Sequence, residues 1–129
     1  MVAKKADDPV TLSTLAAVRR FNKAFDRHDV DGVMAAMTED CVFENTCPPP
    51  DGERYAGQDS VRAFWERFFD SSPDARFTTE EIFAAKDRCV VRWRYDWTGK
   101  EGSHGHIRGV DLFRVRDGKV AEKLAYVKG

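Results

Sequence analysis

Two histidines stand one residue apart in His104-Gly105-His106. On an extended backbone that spacing puts both rings on one side, as a chelating pair requires. A metal site needs a third ligand, and none sits at a fitting spacing. His28 is far away in sequence, and Glu44 or Asp96 could complete a site only by chance. The expectation is a turn-exposed His104, a hydrogen-bonded His106, no metal and no cofactor. Three cysteines, Cys41, Cys47 and Cys89, are the candidate nucleophiles. A nucleophilic thiol needs an activating partner, and no cysteine–histidine pairing is visible in the spacing. Cys41 and Cys89 fall at inward phases of apolar segments, where thiols serve as small core residues. Cys47 opens a proline-rich loop, where exposure is expected.

Composition narrows the partners. The chain has 129 residues, the size of one domain, with 42% hydrophobic residues for a core. Twenty-one Lys and Arg nearly cancel 22 Asp and Glu, a net charge of -1. That balance argues against a nucleic-acid partner and gives no pull toward an anionic membrane. The apolar runs are far shorter than the ~20 residues that span a bilayer. The opening Met-Val-Ala-Lys-Lys-Ala-Asp-Asp-Pro has no apolar stretch after its lysines and does not read as a secretory signal. We read residues 1–10 as a flexible lead-in and residues 11–129 as a single domain. An odd cysteine count in such a chain fits a reducing compartment, the cytoplasm.

The elements that must position these residues divide the chain in two. At ~100° per residue, Leu15, Val18, Phe21, Asn22 and Phe25 share one face of a helix over Leu12–Arg27, with Asn22 the polar intruder. Asp29 can cap a second helix carrying Val30, Val33, Met34 and Met37. Cys41–Asn45 is short and β-prone, and three prolines make Cys47–Gly52 a loop. Val61, Phe64, Trp65 and Phe68 mark a third helix over Gly57–Phe69. The period then becomes two. Strands are expected at Arg76–Ala85, at Cys89–Trp97, at His106–Arg116 and at Lys119–Val127, the last two joined by the Asp117-Gly118 turn. Val91, Trp93, Tyr95 and Trp97 form one apolar strand face. Arg92, Arg94, His106, Arg108 and Arg114 share the opposite face with Val110 and Leu112. Phosphate binding is conceivable there; a homodimer surface with Glu44, Asp96 or Glu122 as counter-charges fits better. Helices first and an antiparallel meander after define an α+β fold.

Four segments carry a resemblance: Ala-Phe-Asp-Arg-His-Asp-Val-Asp-Gly-Val at 24–33, Met-Thr-Glu-Asp-Cys-Val-Phe-Glu-Asn at 37–45, Tyr-Ala-Gly-Gln-Asp-Ser-Val-Arg-Ala-Phe-Trp at 55–65, and the hairpin at 109–120. Together they resemble the SnoaL-like branch of the NTF2-like superfamily, related to ketosteroid isomerase. The resemblance implies a cystatin-like cone: three N-terminal helices on a curved antiparallel sheet that encloses a pocket, with pairing of two copies through the outer sheet face. The family's isomerase base matches Asn45, an amide that cannot take a proton, with Glu44 beside it. Its phenol donor on the first helix matches Phe21, which has no hydroxyl. Its buried acid on the third sheet strand matches Asp111. The resemblance turns Asp111 inward with Ile107, Gly109 and Phe113, and turns Lys123, Ala125 and Val127 inward on the last strand. An inward lysine near an inward aspartate must be paired or face a wet cavity. Asn45, Asp111 and Lys123 are therefore the expected catalytic floor. Phe21, Asn22, Phe25, Phe43, Trp65, Trp93, Tyr95 and Phe113 are the expected pocket walls. The implied chemistry is cofactor-free isomerase, cyclase or dehydratase action on a small hydrophobic carbonyl compound, or ligand binding without turnover.

Overall fold

The computed structural model describes residues 8–129, Lys100 by its backbone only. Residues 1–7 of the expected lead-in lie outside the described residues, and Pro9 and Val10 already belong to a helix. That helix, α1 (Pro9–Asp26), starts early because Asp8 caps it, accepting from Thr11 N at 3.0 Å, and Pro9 suits a first-turn position. Its buried face carries Ala17, Val18, Phe21 and Phe25. Helix α2 (Val30–Ala35) is capped by Asp29, which accepts from Gly32 N at 3.0 Å. Met37, expected on this helix, instead opens strand β1 (Met37–Glu44). A short strand β2 (Arg54–Ala56) and helix α3 (Gln58–Ser71) follow. Gln58 fastens α3 in place: its Nε2 lies 3.2, 3.2 and 2.9 Å from the carbonyls of Met34, Met37 and Thr38.

The rest is β3 (Arg76–Ala85), β4 (Arg88–Thr98), a short 3-10 turn (Lys100–Gly102), β5 (His104–Arg116) and β6 (Lys119–Val127). The strands form one open sheet in the order β2-β1-β6-β5-β4-β3. Every neighbouring pair is antiparallel except β1 and β6, which run parallel across the chain's longest crossover. Helix α1 packs across β3 to β6, and α3 packs on β1 and β2. The second anchor of α1 is polar: Thr14 Oγ1 donates to the carbonyl of Lys86 at 2.6 Å, and Lys86 N donates to Thr11 Oγ1 at 2.9 Å. Both threonines are buried, so these bonds satisfy groups that water cannot reach.

Burial alternates along β5, with Gly109, Asp111, Phe113 and Val115 buried. On β6, Lys123 and Ala125 are buried as expected, but Val127, the last residue of the strand, is 39% exposed. Trp97, at the end of β4, is 36% exposed and lies over Gly105, where a Cβ would stand 2.5 Å from its ring. The outer sheet face carries Phe83 at 54% and Tyr126 at 49% exposure.

Candidate functional site

The sheet register brings the polar floor together. Asp111 stands opposite Ala125, and Phe113 stands opposite Lys123. Asp111 and Lys123 are therefore diagonal neighbours on one face, within reach of a long side chain. Lys123 Nζ lies 3.5 Å from Asp111 Oδ2, and both side chains are only 10% exposed. On the other side of β6, Phe43 of β1 is the register partner of Lys123. The ammonium sits 4.8 Å from the Phe43 ring centre, 5.3 Å from Trp65 and 5.6 Å from Phe25. Three ring faces thus stand within cation–π reach of an ammonium that also pairs with Asp111.

Asp111 is incompletely satisfied. Its Oδ1 is buried without a hydrogen bond, and so is the indole Nε1 of Trp93. The Trp93 N–H is close enough to favour the ionised carboxyl, but the geometry does not close a hydrogen bond. Burial dominates and pushes the Asp111 carboxyl above the usual carboxylate range; the Lys123 charge and the Trp93 N–H pull the other way and do not cancel it. Trp93 can lie here because its register partner is Gly109: a Cβ at Gly109 would stand 2.2 Å from the Tyr126 carbonyl and 2.6 Å from the Trp93 ring.

These groups face a cavity of about 230 Å³. Of the residues expected from the sequence, Asn45, Asp111 and Lys123 line it, as do Phe25, Phe43, Trp65, Trp93 and Tyr95. Phe21 and Phe113 do not; they are fully buried and pack edge to face at 5.6 Å as core behind the floor. Asn22 is half-buried and lies outside the lining. Phe64, Phe68 and Phe77 complete the walls, and Thr46 and Cys47 bring the proline-rich loop to the rim. Helical spacing marked Phe64 and Phe68. Phe77 gave no signal, because it reaches the cavity from an edge strand. Asn45 lies just past β1, with its Oδ1 accepting from Thr46 N at 2.8 Å.

A larger hollow of about 950 Å³ opens between the end of α1 and the β4–β5 edge, bordered by Asp26, Arg27, His28, Arg94, Asp96 and His104. None of these is buried, and Asp96 is already bound by Arg94 at 3.0 Å. His104 and His106 are exposed on β5, and among the described residues no three His, Cys, Asp or Glu side chains are grouped to hold a metal. Cys41 and Cys89 are buried, and burial pushes each thiol up to about 11; Cys47 is exposed. Of the outer-face arginines, Arg94 pairs with the expected Asp96 at 3.0 Å, Arg92 and Arg108 share Glu80 at 3.5 and 3.3 Å, and Arg114 reaches Asp87 at 3.3 Å. Glu44 instead pairs with Arg54 at 3.6 Å.

Residues 18–123 match the SnoaL-like domain family. An NTF2-like protein of unknown function from Mesorhizobium loti is 40% identical, with a TM-score of 0.82, over 96% of this chain and 98% of that one. TerC co-crystallized with polyporic acid shares 18% identity, with a TM-score of 0.77 over 90% of this chain and 92% of that one. An LEH-like epoxide hydrolase from M. tuberculosis shares 21%, with a TM-score of 0.75 over 93% and 86%. No match was found among curated proteins. The chain belongs to the SnoaL-like family and has the NTF2-like fold. No helix among the described residues is long and apolar enough to cross a membrane.

Proposed function

We propose that this SnoaL-like chain binds a small, mostly hydrophobic carbonyl compound against the Asp111–Lys123 pair and moves a proton there without a cofactor. The observation that carries the reading is the buried Asp111 carboxyl, with one oxygen unbonded, facing an apolar cavity beside a buried cation. A buried acceptor without a partner is costly unless a ligand or water completes it. Asp111, held high by burial, takes the proton α to the carbonyl or donates a hydrogen bond to the enolate oxygen. Lys123 stabilises the oxyanion, and Asn45 positions the substrate at the rim. A cavity of about 230 Å³ is smaller than the roughly 300–1,000 Å³ of drug-sized sites, so the fit is to a one-ring or compact two-ring molecule, not a steroid. The fold neighbours include a protein co-crystallized with an organic acid and an epoxide hydrolase, which is consistent with an organic ligand.

The experiment is exchange of the α-hydrogens of acetophenone for deuterium in D₂O, followed by proton NMR. Wild type is expected to speed exchange above the buffer rate and Asp111→Asn to abolish the gain. Saturable binding with no exchange would replace this reading by non-catalytic binding. That second reading has one observation in its favour: an amide, Asn45, stands where the family resemblance places the isomerase base.

The exposed Phe83 and Tyr126, together with the Glu80-bridged arginines, favour pairing of two copies through the outer sheet face. Sedimentation equilibrium at micromolar protein tests it, with a monomer as the contrary result. Three free cysteines fit a reducing compartment such as the cytoplasm.

A further inference from the structure

Lys123 is the one lysine of the described residues that is buried in the candidate site. Its side chain is 10% exposed, with a carboxyl 3.5 Å away and a cavity in front of it walled by rings. Desolvation in an apolar pocket is the setting in which a lysine amine works as a nucleophile toward a carbonyl carbon, and the neighbouring carboxyl offers an acceptor for the ammonium proton. We infer that Lys123 forms a reversible imine with aldehydes and unhindered ketones that enter the cavity, with Asp111 as its proton shuttle. The inference rests on the pocket reading above and adds a covalent step to it.

The step balances within the pair. The ammonium proton of Lys123 passes to Asp111 Oδ2, leaving a free amine and a neutral acid in a site where two separated charges are costly. The Nζ lone pair attacks the carbonyl carbon, forming the C–N bond as the C=O π bond breaks. The Asp111 proton goes to the carbonyl oxygen, giving a carbinolamine whose nitrogen is still charged. That nitrogen returns a proton to Asp111, which delivers it to the hydroxyl as the C–O bond breaks. One water leaves, and an iminium faces the Asp111 carboxylate. The positive charge ends where it began, before the same carboxyl and the same Phe25, Phe43 and Trp65 rings. The surroundings that hold the ammonium therefore hold the product equally well. No oxidant, reductant or metal is needed.

Benzaldehyde is the discriminating probe, because it has no α-hydrogen and can report only imine formation. The folded protein is treated with benzaldehyde and sodium cyanoborohydride, and the benzylated lysines are mapped by peptide mass spectrometry. Lys123 is expected to be labelled about tenfold faster than exposed Lys23 and Lys119 in the same sample. Lys123→Arg, which keeps a cation beside Asp111, is expected to lose the fast site and leave the others unchanged. Benzyl alcohol fits the same space without a carbonyl and is expected to slow labelling at Lys123 alone. Labelling of Lys123 no faster than Lys23 overturns the inference, and the comparison holds within the wild-type sample whether or not a variant folds. If benzyl alcohol quenches tryptophan fluorescence saturably while Lys123 stays unlabelled, the imine falls and the pocket stands. If neither happens, both fall.

Discussion

Breaking the Asp111–Lys123 pair from one side should cost far more than removing it whole. The two side chains are 10% exposed each and 3.5 Å apart, so water does little to screen them. Removing one partner of a buried pair typically costs ~3–5 kcal/mol, because the survivor is left as an uncompensated charge. In Asp111→Asn the survivor is the ammonium, which keeps its three rings; those contacts offset ~0.5–2 kcal/mol, leaving a loss of ~1–4.5 kcal/mol. In Lys123→Met the survivor is a carboxyl that can take up a proton, so the expected loss is smaller, ~1–3 kcal/mol. The double variant places an apolar chain against an amide and should lie within ~1–2 kcal/mol of wild type. The expected coupling is therefore ~2 kcal/mol or more, well above the ~0.5 kcal/mol scatter of independent sites. Urea melts followed by circular dichroism at pH 7 read all four proteins. Losses that simply add would show that the two groups do not act on each other, and the account of the floor would be wrong.

Further outcomes follow from the same geometry. In Lys123→Met, burial acts on Asp111 against the Trp93 N–H alone and holds its folded value above the ordinary 3.8. Such a group stabilises fully below the unfolded value and loses that contribution as pH rises through the folded one, so stability should fall from pH 4 upward by up to ~1.4 kcal/mol per pH unit. The double variant should show no such decline in urea melts across pH 4–8. Gly109→Ala should cost ~1–3 kcal/mol and blue- or red-shift the Trp93 emission, since its Cβ would meet both a backbone carbonyl and the indole; unchanged emission would show that the ring does not rest there. Thr14→Val should cost ~1–3 kcal/mol by leaving the Lys86 carbonyl unbonded, and thermal melts check it. Of the three thiols, Ellman's reagent should titrate Cys47 quickly in the native protein and Cys41 and Cys89 only on unfolding.

The long elements were legible because their periods are long. Arg76–Ala85 and Lys119–Val127 were read with the bounds the structure has, and the inward phase of Asp111 and Lys123 came from the family resemblance. Strand β2 was not read, since three residues cannot show an alternation. Met37 fitted the apolar spacing of α2, but the helix ends at Ala35 and the chain turns into β1. Helix α1 starts three residues earlier than its apolar pattern because a cap and a proline set its start. At the site, the resemblance pointed to the pair and to Phe25, Phe43 and Trp65 as walls, but not to their meeting over the ammonium. The cage over Lys123 joins rings from α1, β1 and α3, and only their packing brings them to one point. Phe21 and Phe113 share helix and strand phases with true wall residues, yet lie one layer deeper, a difference that periodicity cannot express. Among the outer-face counter-charges Asp96 was legible, whereas Glu80 was missed because the register of β3 shifts between Thr79 and Glu81.

In the proposed function, the small cavity over Asp111 and Lys123, and not the larger hollow beside α1, receives a carbonyl compound. A crystal structure of the protein with acetophenone tests it most directly. The account predicts the ring among Phe43, Trp65 and Phe68, with the carbonyl oxygen within hydrogen-bonding distance of Lys123 Nζ or the Asp111 carboxyl. Acetophenone found only in the open hollow by His28 and Arg94, with the Asp111 cavity empty or filled by side chains, would contradict it.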